Sequence, residues 1–160
     1  MRQIFLLLIM TVFLIGCTTA KVTQQEIQAK AETLDFGDST SAALTSKAWQ
    51  ASADKNYPAL FAYTQKCVEL YGAEGKRMND ELEYFASADK VNEYWALNDV
   101  GTSLFVMANA YVELEMYPQA AEAYNTLASD YKYAQCWDPK GWYWQPATGA
   151  ASKADQYKYK

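Results

Sequence analysis

The chain divides into three stretches by its pattern of apolar and polar positions. An apolar run from Ile4 to Ile15 follows the short positive start Met1-Arg2 and ends at Gly16-Cys17. Residues 18–38 are polar and rich in Gln, Ala, Lys and Glu, with Ile27, Ala31 and Leu34 on one helical face. Asp35-Phe36-Gly37-Asp38 breaks that face. From Ser39 onward apolar residues recur at helical spacing, and no strand is expected before residue 132.

The spacing predicts a helix over about 39–55, capped within Ser39-Thr40-Ser41, with Leu44, Ala48 and Ala51 inward and Trp49 beside them. Pro58 fits the first turn of the next helix, where its missing N–H costs little. That helix puts Leu60, Tyr63, Cys67 and Leu70 on one stripe, and Gly72 is expected to end it. A shorter helix over 75–86 would turn Met78, Leu82, Phe85 and Ala86 inward and Asp80, Glu81 and Glu83 outward. Tyr94, Trp95 and Leu97 suggest a packed turn or short helix. Two further helices, over about 99–115 and 118–131, carry Val100, Leu104, Met107, Ala108 and Tyr111, then Ala120, Tyr124 and Leu127.

Residues 44–71 and 104–131 align without a gap at an offset of 60. Leu44 matches Leu104, Ala48 matches Ala108, Tyr57-Pro58 matches Tyr117-Pro118, and Tyr71 matches Tyr131. Each half is helix, short turn, helix. The pair resembles the tetratricopeptide repeat, whose unit of roughly 34 residues is two antiparallel helices. The matching positions are the small residue of the first helix (Ala48, Ala108), its Tyr-type position (Ala51, Tyr111) and the aromatic opening of the second helix (Tyr57, Tyr117). The chain departs from the pattern in its longer spacing and in Leu44 and Lys47, which replace the usual Trp and Leu. It also lacks the closing Pro. The resemblance implies an all-α stack of antiparallel helical hairpins over 39–131, and residues 132–160 read by composition as an aromatic, non-helical segment and polar tail. It also implies protein–protein contact through a concave helical surface. Asn98, Asp99, Asn109 and Glu113 lie off the apolar stripe of the better-matched repeat and are the candidate groove residues.

The N-terminal layout is that of a secretory signal. Residues 4–16 would span about 20 Å as a helix, short of the ~30 Å hydrocarbon core. With Cys17 directly after Leu14-Ile15-Gly16, the segment resembles the lipobox of bacterial lipoproteins. That resemblance implies removal of residues 1–16, acylation of Cys17 by chains such as palmitate, and a membrane anchor facing the periplasm. Thr18, rather than Asp, favours the outer membrane on the same resemblance. Residues 17–38 then read as the lipidated cysteine and its polar tether.

Composition narrows the chemistry. Residues 1–16 carry Arg2 alone among charged side chains, so the remaining 144 residues hold 13 Lys+Arg against 19 Asp+Glu. That acidity argues against nucleic acid, which needs a basic stripe. The chain has no histidine, which removes the commonest general base and histidine-ligated zinc. No metal or cofactor is expected. Cys67 and Cys136 remain for an oxidising compartment, either as a disulfide or as separate packing thiols.

Residues 131–144 concentrate Trp137, Trp142, Tyr143 and Trp144 around Asp138-Pro139-Lys140-Gly141, a β-turn signal. Two readings of the three indoles stand at this point. One is a cap packed over the end of the helical stack, since terminal repeats must be closed. The other is a platform for glycan such as peptidoglycan or β-glucan. A glycoside hydrolase would need two facing carboxylates, and nothing singles out a pair among Asp80, Glu81, Glu83 and Asp138. The expectation is a non-catalytic, lipid-anchored adaptor of the cell envelope with a protein partner.

Overall fold

The computed structural model describes residues 22–160. Cys17 and the signal segment lie outside the described residues. The chain is an all-α stack of antiparallel hairpins, with helices α1 (Gln24–Ala31), α2 (Ser41–Ala53), α3 (Tyr57–Asp80), α4 (Trp95–Glu113), α5 (Tyr117–Asp130) and α6 (Ala150–Lys158). A 3₁₀ turn over Val91–Tyr94 leads into α4, and a small antiparallel hairpin of β1 (Cys136–Asp138) and β2 (Trp142–Trp144) joins α5 to α6.

The first three helices start where short polar side chains cap them. Thr23 and Glu26 form a capping box on α1, the Thr40 hydroxyl accepts from Ala43 N, and Asn56 Oδ1 accepts from Ala59 N. Pro58 and Pro118 occupy the first turns of α3 and α5. The offset of 60 seen in the sequence is also a backbone repeat. Asn56 N donates to Ala51 O at 2.8 Å, and Met116 N donates to Tyr111 O at 2.8 Å. One residue earlier, Lys55 N donates to Ser52 O and Glu115 N to Val112 O, both at 3.1 Å. These paired bonds form the same helix-ending motif twice.

Helix α4 is central and packs against α2, α3 and α5. Leu44, Leu60, Phe61, Leu97, Val100, Tyr124 and Leu127 form the heart of the core.

Several expectations are corrected. Gly72 does not end its helix: α3 runs on to Asp80, and residues 81–86 are not helical. Gly72 and Gly75 serve close packing, since a Cβ on Gly75 would lie 3.0 Å from Ala96 O and one on Gly72 3.2 Å from the Tyr131 hydroxyl. That hydroxyl donates to Gly72 O at 3.0 Å. Leu70 and Phe85, read as inward, are exposed. Helix α4 begins at Trp95, one turn before Asp99.

The tether reading also changes. Ile27 is buried and Val22, Ala31, Leu34 and Phe36 pack onto the core, so from Val22 the chain belongs to the folded body. At the other end the tail is helical: Ala150 and Ala154 of α6 are buried, and Tyr157 stacks on Tyr117 and Tyr124 at 5.6 and 6.2 Å. Helix α6 therefore covers α5, and the tryptophans do not supply that cap.

Candidate functional site

Two helices each offer one polar stripe to the same concavity. On α2 the stripe is Ala42, Thr45, Ser46 and Trp49; on α4 it is Trp95, Asn98, Asp99 and Thr102. Both follow the i, i+3, i+4, i+7 spacing of a single helix face. Gln135, Cys136, Trp137 and Tyr143 of the hairpin segment form the third wall, and the groove encloses about 570 Å³. A second depression of about 430 Å³ continues it past Trp49, Cys136 and Trp137 to Asp138, Pro139 and Trp144.

Three indoles line the groove and remain open to solvent: Trp49 is 42 %, Trp95 44 % and Trp137 54 % exposed. Together they place a patch of large apolar side chains in one exposed concavity. Trp95 is held edge-on against Tyr71 at 5.6 Å, and Trp137 against Tyr143 at 5.0 Å. Their rings are thus positioned by neighbours without being covered.

Asp99 is the one charged residue lining the larger groove. Its Oδ2 accepts from the Ser41 hydroxyl at 2.6 Å, and its backbone oxygen accepts from the Thr45 hydroxyl at 3.2 Å. Burial pushes its carboxyl above the usual aspartate range, opposed by the Ser41 bond. Among the described residues no Lys or Arg forms an ion pair with it. Gln135, 7 % exposed, lies in the same wall, and its Oε1 has no hydrogen-bond partner.

Asn98 braces the site. Its Oδ1 accepts from Gln135 N and its Nδ2 donates to Val91 O, both at 2.8 Å. One side chain thus ties the root of the hairpin and the 3₁₀ turn to α4. Behind the stripe, the Thr45 hydroxyl lies 3.0 Å from Ser103 Oγ and 3.7 Å from Cys67 Sγ, a buried polar cluster in the α2–α4 seam.

The four candidate groove residues therefore divide. Asn98 and Asp99 line the groove. Asn109 and Glu113 do not, because each is engaged at a joint between helices. Asn109 accepts from the Tyr124 hydroxyl at 2.5 Å, and Glu113 from the Tyr57 hydroxyl at 2.7 Å.

The three C-terminal tryptophans also divide. Strand pairing sets Trp137 opposite Tyr143, while Trp144 lies opposite Cys136 and Trp142 opposite Asp138. Trp137 and Trp144 alternate on their strands yet both border the second depression, while Trp142 lines neither hollow, so the three make no common platform. Trp144 packs on Phe105 at 5.0 Å, and Trp142 is 49 % exposed with Lys140 Nζ 5.8 Å from its ring. The β-turn forms as expected, with Gly141 N donating to Asp138 O at 2.9 Å.

Cys67 and Cys136 are free thiols, which corrects the disulfide alternative. Cys67 is fully buried among Thr45, Ser103 and Ser41, and burial pushes its thiol up. Cys136 is half-buried in the groove wall, its thiol also raised mainly by burial. Asp80 pairs with Lys76 at 2.9 Å and Glu81 with Arg77, on the exposed face of α3. Asp138 Oδ1 accepts from Lys140 N within its own turn. Among the described residues no group of three His, Cys, Asp or Glu is placed to hold a metal, and no helix is long and apolar enough to cross a membrane.

Trp49 and Trp95 are the site residues that sequence reasoning missed. The available signal was the second stripe on each helix, 42–45–46–49 and 95–98–99–102, which runs beside the apolar one. Comparison with protein-family models, curated proteins and solved structures found no match for this chain.

Proposed function

We propose that this chain is a lipid-anchored adaptor of the cell envelope, facing the periplasm and binding a protein partner in the groove between α2 and α4. The observation that carries this reading is the set of three exposed indoles, Trp49, Trp95 and Trp137, in one concavity between helices. The repeated helix–turn–helix units support it, because their resemblance to tetratricopeptide repeats implies partner binding through a concave face. The lipobox resemblance at Cys17 supports the anchor. From Cys17 to Val22 an extended chain spans at most about 18 Å, so the anchored domain works close against the bilayer.

Site-specific photo-crosslinking in cells tests the reading. A photoreactive residue at exposed Ser46, on the groove, is expected to capture one envelope protein. The same residue at exposed Ala73, on α3, is expected to capture none. Trp95→Ala should abolish the adduct, and Cys17→Ser should release the chain from the membrane fraction. A second reading, glycan binding, draws on the same exposed indoles, whose faces suit sugar rings. It predicts no protein adduct at position 46, and groove protection by oligosaccharide.

A further inference from the structure

We infer that the groove selects a cationic side chain, seating an Arg- or Lys-bearing segment of the partner protein between Trp49, Trp95 and Trp137 against the Asp99 carboxylate. The inference rests on the adaptor reading and adds the chemistry of what is recognised.

Three observations point the same way. First, indole faces attract cations through the ring quadrupole, and guanidinium groups also stack on them. Trp95 and Trp137 are fixed by T-shaped contacts with Tyr71 and Tyr143, and all three groove indoles keep 42 % or more of their surface open for such a contact. Second, Asp99 is a half-buried carboxylate with a hydroxyl partner but no ion-pair partner among the described residues. A half-buried charge without a counter-charge is an unfavourable arrangement that an incoming cation relieves. Third, the lining of the larger groove contains no Lys or Arg, and the whole chain carries a net charge of −5. An anionic ligand would meet Asp99 head-on. A neutral sugar would cover the indoles yet leave the carboxylate unpaired.

Gln135 adds a separate indication. Its side chain is under one-tenth exposed, lines the same wall, and has an oxygen with no donor. Guanidinium and ammonium groups carry several N–H donors. A small turn about the terminal amide torsion, which is soft, brings that oxygen to a donor in the groove.

The test uses the full chain in detergent micelles, with alkylation of Cys136 by iodoacetamide as the readout of occupancy. Cys136 lies in the groove wall and Cys67 is fully buried, so the two rates separate by mass spectrometry. The probes are tetra-lysine, tetra-arginine, the uncharged arginine counterpart tetra-citrulline, and N-acetylated chitotetraose. Tetra-arginine and tetra-lysine are expected to slow Cys136 alkylation saturably, and tetra-citrulline to leave it unchanged. Asp99→Asn keeps an acceptor for the Ser41 hydroxyl and is expected to weaken half-saturation by about 10-fold, the scale of one desolvated charge contact. Trp95→Ala removes an exposed ring and should do the same. Glu81→Gln, at an exposed position outside the groove lining, removes equal charge and should change nothing.

Equal protection by tetra-citrulline would overturn cation selection while leaving a peptide-binding groove, and with it the adaptor reading. Protection by chitotetraose alone would overturn both. Protection by tetra-arginine that Glu81→Gln weakens as much as Asp99→Asn would reduce the effect to bulk charge and overturn the inference. No protection by any probe overturns it as well, and the crosslink at position 46 then decides the adaptor reading by itself.

Discussion

Lys55 and Glu115 stand sixty residues apart and hold one backbone conformation, φ 53° and 56°, at equivalent corners of the two hairpins. This left-handed conformation is costly for residues with a Cβ, so its recurrence marks a repeated turn. Lys55→Gly is therefore expected to stabilise the fold by up to about 1 kcal/mol, the relief of the Cβ strain outweighing the added chain entropy. Lys55→Val should destabilise it by a similar amount. Urea denaturation midpoints, at unchanged slope, check both.

Tyr57 and Tyr124 set an alkaline limit. The Glu113 carboxylate that accepts its proton pushes Tyr57 up to about 12, and burial pushes Tyr124 to about 12. Both pKa values are raised on folding, so the neutral phenols are favoured in the native state. Their contribution is fully present below about pH 10, the unfolded value, and is lost as pH rises toward 12. For buried Tyr124 the loss is on the order of 2 kcal/mol. Thermal melts from pH 8 to 11.5 should fall steeply above pH 10, with Tyr57→Phe flattening part of the slope. A flat profile would contradict the assignment.

Asn98 should matter more for architecture than its place in a groove suggests. Asn98→Ala leaves Gln135 N and Val91 O without their partner, which costs about 1–3 kcal/mol. Because those groups anchor the hairpin and the 3₁₀ turn, amide exchange should rise at residues 91–94 and 135–138 and leave α2 and α3 unchanged. Uniform loss of protection would count against a local strut.

The thiols should behave as two independent groups. Of Cys67 and Cys136, Ellman's reagent is expected to titrate Cys136 in the native state and Cys67 only on unfolding. Reaction at Cys136 should be slow at pH 7 and accelerate with rising pH, since burial raises its thiol. A peptide map showing the two joined would refute this.

The fold was legible in the sequence wherever local chemistry decides it. Thr40, Pro58 and Pro118 mark helix starts by mechanism, and the offset of 60 carries over to the turn bonds. Gly72 misled because a glycine that ends a helix and one that admits a neighbour look alike in a single chain. What distinguishes them is Tyr131, 59 residues away, whose hydroxyl bonds Gly72 O. The site was half legible. Asn98 and Asp99 share a helix face with Trp95, but the hairpin wall comes from 36 or more residues further along. No periodicity reports that meeting. Trp137 likewise parts from Trp142 through strand register, which the turn fixes and composition does not reveal.

A partner seated between α2 and α4 covers the groove where the protein works. Hydroxyl-radical footprinting, on intact cells and on the purified chain in micelles, measures this without a named partner. Trp49, Trp95 and Trp137 should be oxidised in the purified protein and protected several-fold in cells, while Trp142, on the opposite face of the hairpin, reacts equally in both. Equal oxidation of the three groove indoles in cells and in micelles would contradict a partner seated between α2 and α4.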